Sequence, residues 1–425
     1  MLKRYLGNKT VLLEDILQSV RERAAPGELV CDVFSGSLAV SLALKRAGYR
    51  VAANDINLFS SVLGRAFILN SDIPEVALED LVGAKARARS FRKMAEVGVD
   101  GENRRAGYNY VQAPEHRERA VELLALLLHL QDATGMKRLG NRFARSDFFD
   151  HYCEAGALSA FTSSRGRTGR RRFFSASNAR HIDAVLNRMR YWRSAGLLTD
   201  ALEAMLLSVV LRAVERVSNT QGTYHDFPRD TYDSRALRPL GLALPALDGL
   251  LGPDADHLVG VERDSLDFIA EVPDHAVLYV DPPYNFRQYT AYYFLPNLLC
   301  RYPALEDPAA YFADVRYVRG QNPNDDFVSS FCKAKQFIPS LRALIENAKT
   351  RTVVLSYFDG RNHWNDFKSD CNGEGYRRLT EFFSDEGIFT PGSLAVRPVT
   401  RLNYQSYGGY KARKISEYLF SADKR

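Results

Sequence analysis

Leu29-Val30-Cys31-Asp32-Val33-Phe34-Ser35-Gly36-Ser37 opens as an apolar run of strand length and closes on a turn of small residues. Leu38 to Arg46 follows with apolar residues at helical spacing, and Ala47-Gly48 supplies a helix stop. Arg50-Val51-Ala52-Ala53-Asn54 then reads as a second strand running into Asp55. Strand, tight turn, helix and strand, with an acid at the second strand's carboxyl end, begin an α/β sheet. Working outward, this character returns late, in His257–Val261, Ala276–Val280, Thr352–Leu355 and Ile415–Phe420. From about Asp72 to Asp256 the pattern is helical, clearest at Ala120–Leu130 and Leu202–Val217. Apolar strands on both sides of a helical stretch predict one doubly wound sheet interrupted in sequence. The predicted division is residues 1–71 with 255–425, against an insertion at 72–254.

Composition narrows the function classes. The chain has 425 residues, 46% hydrophobic and 25% charged, which fits a folded globular protein and argues against disorder or coiled coil. The best apolar stretch, Ala204–Val214, is interrupted by Arg212 and is too short to span a bilayer. The N-terminal stretch lacks the apolar region of a signal peptide, so a cytoplasmic location with no membrane partner is expected. Five cysteines, Cys31, Cys153, Cys300, Cys332 and Cys371, show no paired spacing. That pattern argues against a disulfide framework and a zinc site. The formal net charge of +6 permits a polyanionic partner. Between Ala157 and Arg193 stand nine arginines against one acid, Asp183, interleaved with Phe173, Phe174 and Tyr191. A solvated face is the plain alternative, but this imbalance favours a surface facing phosphates.

The sharpest motif is Asp281-Pro282-Pro283-Tyr284, directly after the apolar run Ala276–Val280. At ~5% usage per residue, a specified string of four should occur in only a few of a thousand chains this long. A strand-closing turn explains the prolines but requires neither the acid before them nor the aromatic after. The carboxylate and the Pro282 carbonyl are two acceptors, and the tyrosine is a flat wall. Such a set suits the exocyclic amine of a nucleobase turned out of its helix. Hydrogen bonds to both N–H groups would localise the nitrogen lone pair, and no side chain needs to attack. The group donor then belongs at the first turn, where Gly36 allows close approach. Asp55, nineteen residues beyond Gly36 (55 − 36), suits ribose hydroxyls; it suits equally a cap before Ile56-Asn57-Leu58.

These residues resemble the Dam-like class of adenine-specific DNA N6-methyltransferases. Five stretches carry the likeness: Arg4–Lys9, Asp32–Ser37, Asn54–Asn57, Glu262–Phe268 and Asp281–Tyr284. Asn285–Tyr289, Phe173–Ala179, Ser218–Tyr224 and Glu417–Phe420 are similar to methylases of restriction-modification systems. The resemblance implies a Rossmann-like methyltransferase sheet with a mostly helical, inserted target-recognition domain. It implies S-adenosyl-L-methionine as donor, S-adenosyl-L-homocysteine as product, and no metal. The donor residues carried over are Arg4, Tyr5, Gly7, Lys9, Asp32, Phe34, Gly36, Asp55, Ile56, Asp264, Ser265 and Asp281. Lys9 would meet the donor's carboxylate, Asp55 its ribose and Asp264 its adenine. Asp281, Pro282, Pro283 and Tyr284 would be catalytic. Double-stranded DNA would be met by Arg165, Arg167, Arg170, Arg171, Arg172, Asn219, Tyr224, Arg287 and Tyr289. A cognate restriction endonuclease is the partner that such a bacterial or phage system implies.

One departure stands out. The resembling pattern F-x-G-x-G has a second glycine where this chain has Leu38, whose side chain must point into the helix–sheet core if the turn is to stay open. Cytosine N4 is the nearest rival target, although Asp281 rather than a serine favours adenine. A non-catalytic DNA-binding protein on the same fold is the alternative from another class. Methylation at cytosine C5 needs a thiolate, conventionally after proline, and no cysteine here follows one.

Overall fold

The structure is a computed structural model, and it describes residues 2, 4–97, 114–132, 139–225, 230–245, 255–358, 362–364, 373–402 and 414–425. Cys371 and the expected domain boundary at Asp254 lie outside the described residues. Packing divides the chain into two units. One comprises Met1–Leu6, Arg65–Leu251 and Thr290–Asp326; the other comprises Gly7–Gly64, Gly252–Tyr289 and Phe327–Arg425.

The second unit holds the sheet. Its strands are β1 (Leu29–Asp32), β2 (Arg50–Ala53), β5 (Leu258–Val259), β6 (His275–Val280), β7 (Thr350–Phe358), β8 (Ala395–Leu402) and β9 (Lys414–Asp423), while β3 (Ala160–Thr162) and β4 (Thr168–Arg170) form a separate hairpin in the first unit. The order across the sheet is β5-β2-β1-β6-β7-β9-β8. β5, β2, β1, β6 and β7 run parallel. β9 pairs antiparallel with β7 and with β8. β1 and β6 are buried along their whole length, which explains why both read as unbroken apolar runs rather than alternating ones. Below them an apolar cluster gathers Leu29, Cys31, Val33, Leu278, Val280, Phe337, Leu341, Val353 and Phe420. β8 has no counterpart among the strands read from the sequence. It contains Pro398 and arginines, as suits an edge strand with ladder partners on one side only.

The first unit is mainly helical. Helix Ala176–Ser194 starts at Ser175, whose hydroxyl accepts from the Asn178 N–H, and Asp200–Val217 starts likewise at Thr199. Both are side-chain caps of unpaired first-turn donors. Trp192 is fully buried, and its indole N–H donates to the Leu81 carbonyl at 2.8 Å.

Leu38 occupies the position just before helix Ala39–Arg46 with φ 62° and ψ 20°, a left-handed conformation, and its side chain is fully buried. The turn therefore keeps a glycine-like backbone while the leucine fills the core. Leu38→Ala should cost about 2–5 kcal/mol through the cavity it leaves. Leu38→Gly loses the same packing but relieves ~1 kcal/mol or more of left-handed strain. The glycine variant should therefore unfold at no lower denaturant than the alanine variant, an order that urea titration of the pair checks.

Candidate active site

Three strand tips build the site. Beyond β1, the Val33 N–H donates to the Tyr279 carbonyl and the Ser35 N–H to the Asn54 carbonyl. Pairing thus carries on past the strand ends, so the turns after β1, β2 and β6 share one edge of the sheet. β1 lies between β2 and β6 in the sheet, the point where strand order reverses, and the carboxyl ends of such strands are where α/β sheets bind ligands.

The turn after β1 is braced from β2. Gly36 has φ 48°, and its N–H donates to Asp55 Oδ2 at 2.9 Å. Asp55 Oδ1 accepts from the backbone and side-chain amides of Asn57, each at 2.9 Å. The helix itself begins later, at Leu58, so Asp55 ties two turns together instead of capping a helix. Three of the roughly four acceptor positions of its carboxylate are filled. Burial pushes its pKa upward, and these hydrogen bonds resist that shift. Asn54 reaches the loop after β5, donating to the Arg263 carbonyl at 3.1 Å. Gly260 is obligatory there, because a Cβ would lie 2.1 Å from Asn54 Oδ1.

Asp32, at the end of β1, is 1% exposed. Its Oδ2 accepts from the Ser41 hydroxyl at 2.6 Å, while Oδ1 has no hydrogen-bond partner among the described residues. Burial, together with the charges of Asp281 and Asp55, pushes its pKa up to about 7. Phe34 and Ile56 are half-buried nearby in sequence, and Phe34 meets Phe331 edge-on at 5.1 Å. Asp264 accepts from the Leu266 N–H at 2.8 Å and caps helix Ser265–Glu271; Ser265 is buried in its first turn.

At the tip of β6, Asp281 Oδ1 lies 3.0 Å from Lys9 Nζ. Lys9 is 4% exposed, and its ammonium also pairs with Glu417, a wholly buried carboxylate on β9. Ser356 on β7 donates to Glu417 Oε1 at 2.9 Å. Burial works against the Lys9 charge, but Asp281, Glu417 and Tyr284 outweigh it and drive the pKa upward. The Lys9 ammonium stands 5.9 Å from the centre of the Tyr284 ring. That ring packs against Phe358 at 5.8 Å and Tyr357 at 6.2 Å, and the Tyr284 carbonyl accepts from the His363 N–H. Pro282 is buried and Pro283 half-buried. Tyr289 approaches the backbone of Gly7, its hydroxyl 3.7 Å from where a Cβ would stand.

Not every expected residue joins this group. Arg4 and Tyr5 fall in the helical unit: the Arg4 guanidinium donates to the Thr220 carbonyl at 3.1 Å, and Tyr5 stacks on Tyr293 at 4.7 Å. The expected DNA-facing residues also divide. Arg171 is buried, and its guanidinium donates to the carbonyls of Val318, Leu158 and Tyr317 at 2.9–3.2 Å. Asn219 is buried and bonded to the backbones of Thr231 and Asp233. Tyr224 is buried, its hydroxyl 2.9 Å from that of Ser218. These three are built into their own unit and do not face solvent, a correction to the expected DNA-facing set. Arg190 likewise caps the carbonyls of Leu305, Arg142 and Glu306, and Arg172 pairs with Glu154. Arg165, Arg167 and Arg170 are exposed on the β3–β4 hairpin, with Arg167 3.1 Å from Asp230. Arg287 is half-buried in the segment that follows β6. Ser41, Ser356 and Glu417 are additions. Glu417 stood in a quoted motif, but nothing in a lone glutamate on a strand announces a lysine partner 408 residues away.

Among the described residues no cluster of three or more histidine, cysteine or acidic side chains could hold a metal ion. The described cysteines are buried free thiols, and burial pushes Cys31 up and Cys332 up to about 12.

Residues 5–153 match the family of D12 class N6 adenine-specific DNA methyltransferases. Over that stretch, about a third of its length, the chain is similar to that family. The match spans Lys9, Gly36 and Asp55 but ends before Asp281, which longer alignments include. The chain is 24% identical over 425 residues to the modification methylase StsI of Streptococcus sanguinis and 23% over 427 residues to the type II methyltransferase M.FokI of Planomicrobium okeanokoites. Each alignment takes in 99% of this chain and 52% of the relative, so the chain spans about half their length. It is 26% identical over 356 residues to the type II methyltransferase M.NlaIII of Neisseria lactamica, covering 83% of this chain and 82% of that one.

The native state binds the Asp32 proton more tightly than the unfolded chain does. Between roughly pH 4 and 7 the folded protein therefore carries more protons, and its stability falls as pH rises through that window. Asp32→Asn removes the titration. Wild type should lose stability relative to this variant from pH 5 to 7, and parallel urea curves at each pH would refute the buried proton.

Proposed function

We propose that this chain is a site-specific DNA adenine N6-methyltransferase of a restriction-modification or related system. The observation that carries the reading is the Asp281 carboxylate at the tip of β6, ion-paired to Lys9, on the edge that also bears the Gly36 turn. A carboxylate there can accept an N–H of an exocyclic amine, with the Pro282 carbonyl as second acceptor and the Tyr284 ring as stacking wall. The amine's lone pair is thereby freed for attack. Partial exposure of Tyr284, with its ring braced by Tyr357 and Phe358, supports a wall that a flipped base could lie against.

The chain's residues fit S-adenosyl-L-methionine. Gly36 has a left-handed backbone, Asp55 keeps an acceptor position for a ribose hydroxyl, and the buried Oδ1 of Asp32 lacks a partner among the described residues. Phe34, Ile56 and Asp264 would line the adenosine end and Gly7 the methionine end, whereas the Lys9 ammonium is engaged by Asp281 and Glu417 rather than left for the donor's carboxylate. The donor would supply a methyl group on a sulfonium. Lys9, Asp281 and Tyr284 would hold the acceptor side, and the amine's proton would pass to solvent after transfer. Neither a metal nor a thiolate is required.

The helical unit would choose the site, since a pocket that reads one extruded base cannot do so. Its β3–β4 hairpin is solvent-exposed and carries Arg165, Arg167 and Arg170; a two-stranded ribbon fits the major groove. Double-stranded DNA is the partner this implies, with Arg287 and Tyr289 close to the catalytic turn. A cognate endonuclease follows from the restriction-modification reading.

Modified-base sequencing of DNA from a methylation-free host tests the chemistry. Wild type should deposit N6-methyladenine in one sequence context, and Asp281→Ala should abolish it. N4-methylcytosine would move the reading to the rival amine, and unmodified DNA would sink it. For the hairpin, Arg165→Ala with Arg167→Ala should flatten the slope of log affinity against log salt by about 2. Arg171→Ala should instead lower the melting temperature, since it removes three hydrogen bonds that a buried guanidinium makes to backbone carbonyls.

A further inference from the structure

We propose that Glu417 is a positioning residue, acting through Lys9 to aim the Asp281 carboxylate; the proposal rests on the methyltransferase reading above. Glu417 is wholly buried at the centre of β9, opposite Phe358 in the β7–β9 ladder. Burying a carboxylate is costly unless partners offset it. Here they are the Lys9 ammonium and the Ser356 hydroxyl, both directed at Oε1. The core packing of β9 needs no charge at that place: its neighbours Leu419, Phe420 and Ala422 are buried and apolar.

The arrangement makes a relay of fixed groups across three adjacent strands. Ser356 on β7 fixes Glu417 on β9; Glu417 anchors the Lys9 ammonium; Lys9 contacts Asp281 beyond β6. A lysine has a four-carbon flexible stem and spherical charge, so one carboxylate alone fixes its position poorly. A second, immobile carboxylate in a strand defines where the ammonium sits and hence which Asp281 oxygen it occupies. The other Asp281 oxygen is then aimed for an amine N–H. In the transfer, the amine lone pair forms the new N–C bond and the pair of the breaking C–S bond stays on sulfur. Positive charge moves to the amine, which sheds a proton to solvent. Orientation of Asp281 matters throughout that charge movement.

Glu417→Gln keeps the shape and removes the anchor's charge. Methylation of a cognate duplex by the purified protein should lose about 10–100-fold in kcat, with KM for donor and DNA within about threefold. Combining it with Lys9→Met supplies a readout that a purely structural role would not give. If Glu417 acts through Lys9, the glutamine costs less than about twofold further in the Lys9→Met background; independent effects would multiply. Calorimetry of S-adenosyl-L-homocysteine binding adds a measurement free of turnover and should change by less than threefold in Glu417→Gln. Wild-type kcat in Glu417→Gln, multiplicative effects in the double variant, or lost nucleoside binding would overturn the assignment. Should Glu417→Gln fail to fold, Ser356→Ala decides: about 3–10-fold lower kcat at unchanged KM supports the relay, and wild-type kcat refutes it. Absence of methylation by wild type would instead refute the underlying reading and leaves the variants' ratio undefined.

Discussion

Parallel pairing of β1 with β2 on one side and β6 on the other is the constraint from which the site follows. Register aligns Asp32 with Ala53 and with Tyr279, so the residues just beyond each strand emerge side by side. β1 is where the strand order reverses, the place in an open α/β sheet where ligands commonly bind. The Gly36 turn, Asp55 and Asp281 owe their proximity to that register. A slip of one residue would turn each of them to the opposite face.

Keeping so many carboxylates together under burial needs compensation, and the structure supplies it group by group. Asp55 receives three N–H donors, and Asp281 and Glu417 share Lys9. Asp32 has one hydroxyl, and its pKa rises accordingly. With one donor in place of three, desolvation raises the Asp32 pKa to about 7, the expected direction when desolvation is set against hydrogen bonding. Leu38 shows the same economy in the backbone: a left-handed residue is tolerated because its side chain fills the core under the turn.

The arginine-rich stretch illustrates how charge in a sequence can mislead about place. Nine arginines look alike in a one-dimensional reading, but Arg171 and Arg190 spend their guanidiniums on carbonyls inside the helical unit. Five planar donors can satisfy several carbonyls at once, which makes arginine a structural bracket as readily as a phosphate ligand. On the β3–β4 hairpin Arg165, Arg167 and Arg170 are exposed, and even there Arg170 donates to the carbonyls of Glu154 and Gly156 while Arg167 pairs with Asp230.

Much was legible in the residues alone. The strand–turn–helix around Gly36, the acid after β2 and the quartet after β6 could be read locally, because apolar runs, turn residues and a rare tetrapeptide are short-range signals. So was the α/β class, now seen as a seven-stranded, mostly parallel sheet. β8 escaped, being an edge strand with a proline and polar positions that mimic a loop. Only the tertiary structure joined Lys9 to Glu417 and Ser356, tied Gly36 to Asp55, grouped Arg4 with the helical unit and buried Asn219, Tyr224 and Arg171. Pattern in sequence records what each segment must bury; which distant charge answers a buried charge is decided when strands far apart in the chain become neighbours in a sheet.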